Sequence, residues 1–168
     1  TPADPRVPWT RDAGAADAAI RQYTPRKYDT RGAPIDLASG IEARLIEAEA
    51  ALAKGQSAAY LATLNTLRAS VSLPPLTDPG TPAARVNQFF HERAFWMFGQ
   101  AHRLSDMRRL VRQYGRAQNT VFPTGTYTRE GTDGTLRPDA APYGSDVNFP
   151  VPFDEFNNPQ FTQCLSRE

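Results

Sequence analysis

Two residues, Gly55 and Gln56, separate two stretches that each repeat apolar side chains at helical spacing. In the first, Ile41, Leu45, Ala48 and Leu52 form one stripe. Ser39 stands at its start as an N-cap and Glu42 follows three residues later, the pattern of a capping box. Lys54 supplies a cation to the last turn, and Gly55 can take the left-handed conformation that ends a helix. In the second stretch, capped by Ser57, the residues Tyr60, Leu64, Leu67 and Val71 line one face and Leu61 broadens it. A link this short leaves no room for a crossover, so helices over about 39–54 and 57–71 must run antiparallel as a hairpin.

SLPPLTDPG stops the second helix. Thr81 opens a third, with Pro82 at the first helical position, where a missing N–H is harmless. It runs to about Phe98, is broken by Gly99 and Gln100, and resumes as a fourth helix from about His102 to Tyr114, ended by Gly115. The block Phe89–Tyr114 concentrates aromatic bulk (Phe89, Phe90, Phe95, Trp96, Phe98) together with Arg93, Arg103, Arg108, Arg109 and Arg112. Leu104, Met107, Val111 and Tyr114 repeat at helical spacing between the arginines, so the block reads as core. The arginines are expected to pair with Asp106, Glu92 or the C-terminal acids rather than with phosphate. A net charge of +1 gives no global attraction to nucleic acid or to an anionic membrane surface.

The remainder, residues 1–38 and 115–168, reads as long irregular connection, where most of the 15 prolines lie. Asp12–Gln22 is a candidate short helix. Asn119–Asp146 holds at most a hairpin turning at Asp133-Gly134, Val147–Pro152 is extended, and Asp154–Asn157 suits one helical turn. The fold class is therefore mainly α, with little β. No run of about 18 apolar residues is present to cross a membrane as a helix. The start, TPADPRVPW, reads as that of a processed or truncated segment. Cys164, the single cysteine, cannot form an internal disulfide or a metal cluster alone.

Chemistry-bearing residues are sparse. His91 and His102 would lie about 16 Å apart on one straight helix, too far to share a metal. His102, Ser105 and Asp106 fall within one helical turn, where a nucleophile, base and orienting acid seldom align. Adjacent Asp154 and Glu155 point apart. There is no phosphate loop, no dinucleotide fingerprint and no paired-cysteine motif. No catalytic residue, metal or cofactor is assigned.

Three segments resemble the SusD/RagB family. The helix ARLIEAEAALAKG and the following ATLNTLRASVSLPPL match its first hairpin through Asn65, Arg68, Leu73 and Pro74. HERAFWMFGQAHRLSDMRRL matches its arginine signature through Glu92, Arg93, Phe98, Arg103, Asp106, Arg108 and Arg109. VNFPVPFDEFNNPQFTQ matches its closing segment through Phe149, Pro150, Pro152, Glu155, Asn158, Pro159 and Gln163, and DPR at Asp4–Arg6 fits the start. Departures are Gly99-Gln100-Ala101, where a Glu-Gly pair is frequent, and Met107 in place of Leu.

The resemblance implies tetratricopeptide-like helical hairpins with long loops, and a chain that is the C-terminal part of a longer domain. It implies a bacterial outer-membrane lipoprotein on the cell-surface side, anchored by an N-terminal lipid outside this chain. Such a protein binds oligosaccharide or another nutrient without turnover and partners a SusC-like TonB-dependent transporter. Ligand residues do not transfer by motif. Sugar faces stack on exposed aromatics, which makes the loop residues Trp9, Tyr23, Tyr28, Tyr127 and Tyr143 ligand candidates and, equally, candidate anchors of loop to core. The competing reading is a helical scaffold that binds no small molecule.

Overall fold

The computed structural model describes residues 4–11, 19–149 and 152–161. The chain falls into two compact units, Thr1–Ala15 with Gln22–Arg103 and Ala16–Arg21 with Leu104–Glu168. The described residues are mainly helical, with two small two-stranded sheets.

The first unit holds β1 (Trp9–Arg11), β2 (Tyr23–Pro25), α1 (Gly40–Ala53), α2 (Ser57–Ala69) and α3 (Pro82–Trp96). Helix α1 starts as expected, with the Ser39 hydroxyl accepting from the Glu42 amide at 3.1 Å. The Glu42 carboxylate does not close the capping box. It lies 3.7 Å from the Arg93 guanidinium and 3.6 Å from His102 Nε2. Gly55 takes the left-handed conformation (φ 71°) and reverses the chain. The reversal leaves Gln56 in non-helical geometry, so Gln56, not Ser57, is the N-cap of α2, and it makes no side-chain capping bond. Leu45 and Ala48 from α1, Tyr60, Leu64 and Leu67 from α2, and Phe89, Phe90 and Trp96 from α3 are buried and form the core of this unit.

Two elements correct the sequence reading. The stretch 1–38 is not all loop, because β1 and β2 pair antiparallel with Trp9 opposite Pro25 and Arg11 opposite Tyr23. Of the candidate helix Asp12–Gln22, residues 12–18 lie outside the described residues, and Ile20 forms an isolated bridge to Gly131. Helix α3 also ends earlier than expected, at Trp96. Gly99 (φ 72°) and Ala101 (φ 61°) are both left-handed and divert the chain before α4.

The proline-rich stretch after α2 is fixed by side chains, since prolines cannot donate to a ladder. Asn65 accepts from the Leu76 amide at 2.7 Å and donates to the Leu76 carbonyl at 3.1 Å. Arg68 Nε donates to the Pro74 carbonyl at 2.7 Å. Arg85 forks onto both carboxylate oxygens of Asp78 at 2.8 Å. This hydrogen bond lowers the Asp78 pKa and raises that of Arg85. The buried Tyr60 hydroxyl donates to Gln88 at 2.7 Å, and burial pushes its pKa upward.

The second unit contains all but the first residue of α4 (Arg103–Arg112), with α5 (Gln118–Val121), β3 (Thr126–Glu130), β4 (Leu136–Pro142) and α6 (Phe153–Phe156). Gly115 (φ 63°) ends the α4 run, and the Arg116 amide closes it onto the Leu110 carbonyl at 3.0 Å. The expected hairpin forms with Glu130 opposite Leu136 and Arg129 opposite Arg137. Its turn lies where Asp133-Gly134 predicted, with Gly134 at φ 81°. There the Asp133 carboxylate accepts from the Thr135 hydroxyl at 2.7 Å and the Thr135 amide at 3.0 Å. These bonds, with Arg137 at 3.0 Å, hold the Asp133 pKa at about 2.

Candidate functional site

The motif residues of the arginine block are structural where they are paired. Glu92 is almost fully buried, and each of its carboxylate oxygens meets a guanidinium at 2.6 Å, one from Arg6 and one from Arg68. Both partners come from outside the block, contrary to the expectation that its own arginines would take Glu92. Arg6 is also bound by Asp4 at 2.7 Å and lies over the rings of Phe95 and Trp96. The hydrogen bond from Arg6 lowers the Asp4 pKa. Arg93 faces Glu42 and lies 3.4 Å from His102 Nδ1. In the second unit Asp106 pairs with Arg109 at 3.2 Å, one of the partners expected for it. Asn158 donates to Glu155 at 2.9 Å and receives the Gln160 amide at 2.9 Å, so the closing motif with Pro152 and Pro159 is a self-bonded turn. Pro150 and Gln163 lie outside the described residues.

The aromatic candidates separate into three environments. Trp9 and Tyr23 sit diagonally across the β1–β2 ladder in edge-to-face contact, with ring centroids 5.0 Å apart, and are 43% and 47% exposed. Tyr28 is half-buried, with its ring edge against Gly99, where an added Cβ would lie 3.2 Å from Cε2. Its hydroxyl is shielded and has no hydrogen-bond partner among the described residues, so Tyr28 is packed as an anchor. Tyr127 and Tyr143 form a second edge-to-face pair at 6.0 Å, 45% and 40% exposed.

Tyr143 alone among the five candidates lines a described cavity, an open cleft of about 430 Å³ in the second unit. Helix α5 forms one wall, with Gln118, Asn119 and Phe122. Tyr143 to Ser145 also line the cleft. Two hydrogen bonds join the lining segments. The Gln118 amide donates to the Ser145 carbonyl at 2.8 Å, and the Tyr143 amide donates to the Gly125 carbonyl at 2.8 Å. Gly125 is left-handed (φ 77°), which lets the chain turn from Thr124 into β3. The lining offers two aromatic faces, side-chain amides and hydroxyls, and it carries no carboxylate, imidazole or amine. Its volume falls in the range of small-ligand sites. Gln118, Asn119 and Phe122 were not read from the sequence, since a four-residue helix in an aperiodic stretch has no pattern to reveal it.

Among the described residues, no group of three or more His, Cys, Asp or Glu is placed to hold a metal ion, and no helix is long and apolar enough to cross a membrane. Together these features define a mainly helical protein whose cleft is equipped for contact through aromatic faces, amides and hydroxyls. The chain belongs to the SusD family, whose model matches residues 42–164. That is a family of nutrient-binding surface proteins rather than enzymes. No curated protein and no solved structure matches the chain.

Proposed function

We propose that this protein binds oligosaccharide, or another nutrient such as peptide, at the outer surface of a bacterial outer membrane. It delivers that ligand to a SusC-like TonB-dependent transporter and performs no catalysis. Attachment is through an N-terminal lipid outside the chain described, and the α1–α2 hairpin serves as a tetratricopeptide-like unit of the scaffold. Membership of the SusD family supports the reading. The observation that carries it is the cleft lined by α5 and Tyr143, whose lining combines an exposed ring with amide and hydroxyl groups. A sugar presents an apolar C–H face and a rim of hydroxyls, so this lining meets both surfaces at once. Trp9 and Tyr23 supply a second exposed aromatic pair of the same kind.

Titration of the protein with a panel of neutral oligosaccharides, by calorimetry or by tyrosine fluorescence, tests the proposal. Binding that falls in the Tyr143→Ala variant, and recovery of a large β-barrel protein with the native chain from membranes, are the expected results. Binding that survives Tyr143→Ala, or no binding across the panel, would overturn the assignment of the cleft.

A scaffold role has one observation in its favour. Ile35, Leu37 and Ile46 in the first unit are 72%, 100% and 58% exposed, which suits a surface covered by another polypeptide. A chain that assembles with the transporter yet ignores every glycan would establish that role in place of ligand delivery.

A further inference from the structure

Helix α4 carries a second recess, of about 260 Å³, lined by Ser105, Arg108, Arg109, Arg112 and Gln113. Spacings of three and four residues bring these side chains onto one helical face. The three guanidiniums are unequally matched. Asp106 takes Arg109 at 3.2 Å, and Gln113 accepts from Arg109 Nε at 3.3 Å. Among the described residues no carboxylate pairs with Arg108 or Arg112. Arg108 Nε is shielded from solvent and has no hydrogen-bond partner among the described residues. That shielded atom is out of reach from the recess, whereas the guanidiniums of Arg108 and Arg112 line it and offer charge-assisted hydrogen bonds to an arriving oxyanion.

We propose that this recess binds the anionic group of an acidic saccharide, a carboxylate or sulfate ester on a sugar ring. Arg108 and Arg112 contact the charge, and the Ser105 hydroxyl and Gln113 amide contact neighbouring hydroxyls. The proposal rests on the glycan-binding reading and narrows its ligand class. A saccharide fits better than an acidic protein partner, because the recess has room for about one sugar residue, whereas a specific protein interface buries roughly 800 Å² per partner. A near-neutral chain with one local cluster also lacks the extended basic track that nucleic acid requires.

The test compares oligogalacturonate with its methyl-esterified, uncharged form, and with inorganic sulfate, by calorimetry at low salt. The acidic oligosaccharide is expected to bind about tenfold more tightly than the ester, the scale of one charge-assisted bidentate contact. The preference should shrink as salt rises. Arg112→Gln, at an exposed position, should reduce the preference severalfold with an unchanged melting temperature, and Arg108→Gln/Arg112→Gln should abolish it. Equal binding of acid and ester, or a preference intact in both variants, overturns the proposal. Sulfate binding as tightly as the oligosaccharide makes the recess a free-anion site and also overturns it. Neutral glycan binding that is lost in Tyr143→Ala, with no acid preference, sinks this inference alone, whereas no binding of either form sinks the glycan reading too.

Discussion

Glu92 on α3 receives Arg68 from α2 at 2.6 Å on one carboxylate oxygen, while Arg6 occupies the other at the same distance. Each oxygen of a buried anion is thus matched by a guanidinium, and Arg68 in turn reaches the Pro74 carbonyl. One acid thereby ties the N-terminal segment, the second helix and the proline-rich turn to the third helix.

Removing that acid leaves the shielded Arg68 without its carboxylate and Arg6 with Asp4 alone. Glu92→Ala is expected to lower stability by about 3–5 kcal/mol, the scale for breaking one side of a buried ion pair. Glu92→Gln should lower it by less. Urea unfolding checks this through the midpoint at constant slope. A loss under 1 kcal/mol for Glu92→Ala would show that the cluster contributes little.

Gly99 combines a left-handed backbone with a tyrosine ring against its α-carbon. Gly99→Ala should therefore destabilise by about 1–2 kcal/mol, through backbone strain and the displacement of Tyr28. A thermal melt indistinguishable from that of the parent would refute this account of the break before α4.

The Tyr28 hydroxyl is shielded without a partner, so Tyr28→Phe should be neutral or stabilising by up to about 1 kcal/mol and should leave glycan affinity unchanged. Tyr143→Ala should do the reverse, weakening glycan binding by about tenfold, the upper range for an aromatic contact, with little change in stability. Measuring both variants in one titration series separates an anchoring ring from a contacting one.

The turn of the β3–β4 hairpin has a defined pH dependence. The Asp133 pKa is depressed from 3.8 to about 2, so its ionised form is favoured in the folded turn. The stabilisation is complete above pH about 4 and is lost as pH falls through the folded value near 2. A carbon-13 titration of the Asp133 carboxyl should show its midpoint near 2. A midpoint at 3.8 would mean that Thr135 and Arg137 do not engage it in solution.

The helical part of this chain was legible because its signals are local. Ser39, Gly55, Thr81, Pro82 and Gly115 each act on the backbone within a turn, and the apolar spacing of Leu45, Tyr60, Leu64 and Phe89 marked their burial. The β1–β2 ladder was not legible, since Trp9 to Arg11 and Tyr23 to Pro25 are too short for alternation to register. Pairing partners failed for the same reason in another form. Nothing near Glu92 in sequence announces Arg6 or Arg68, and the choice among cations is made by packing. The candidate site was only partly readable, since Tyr143 stood out as a loop aromatic whereas the amides on α5 that line the same cleft had no periodic signal.

The contact between Arg6 and Glu92 spans 86 positions of sequence. During synthesis the Asp4–Arg6 segment emerges well before α3 and has no seat until α3 exists. The α1–α2 hairpin closes over a few residues and needs neither. Order of assembly in this unit therefore runs against order of translation, with the local hairpin early and the N-terminal strap docking late, since distant contacts carry the larger closure entropy. Arg68 alone already matches the charge of Glu92, and the strap brings Arg6 with its own counterion Asp4, so the last strap to close adds no net charge and completes instead the hydrogen bonding of the second Glu92 oxygen.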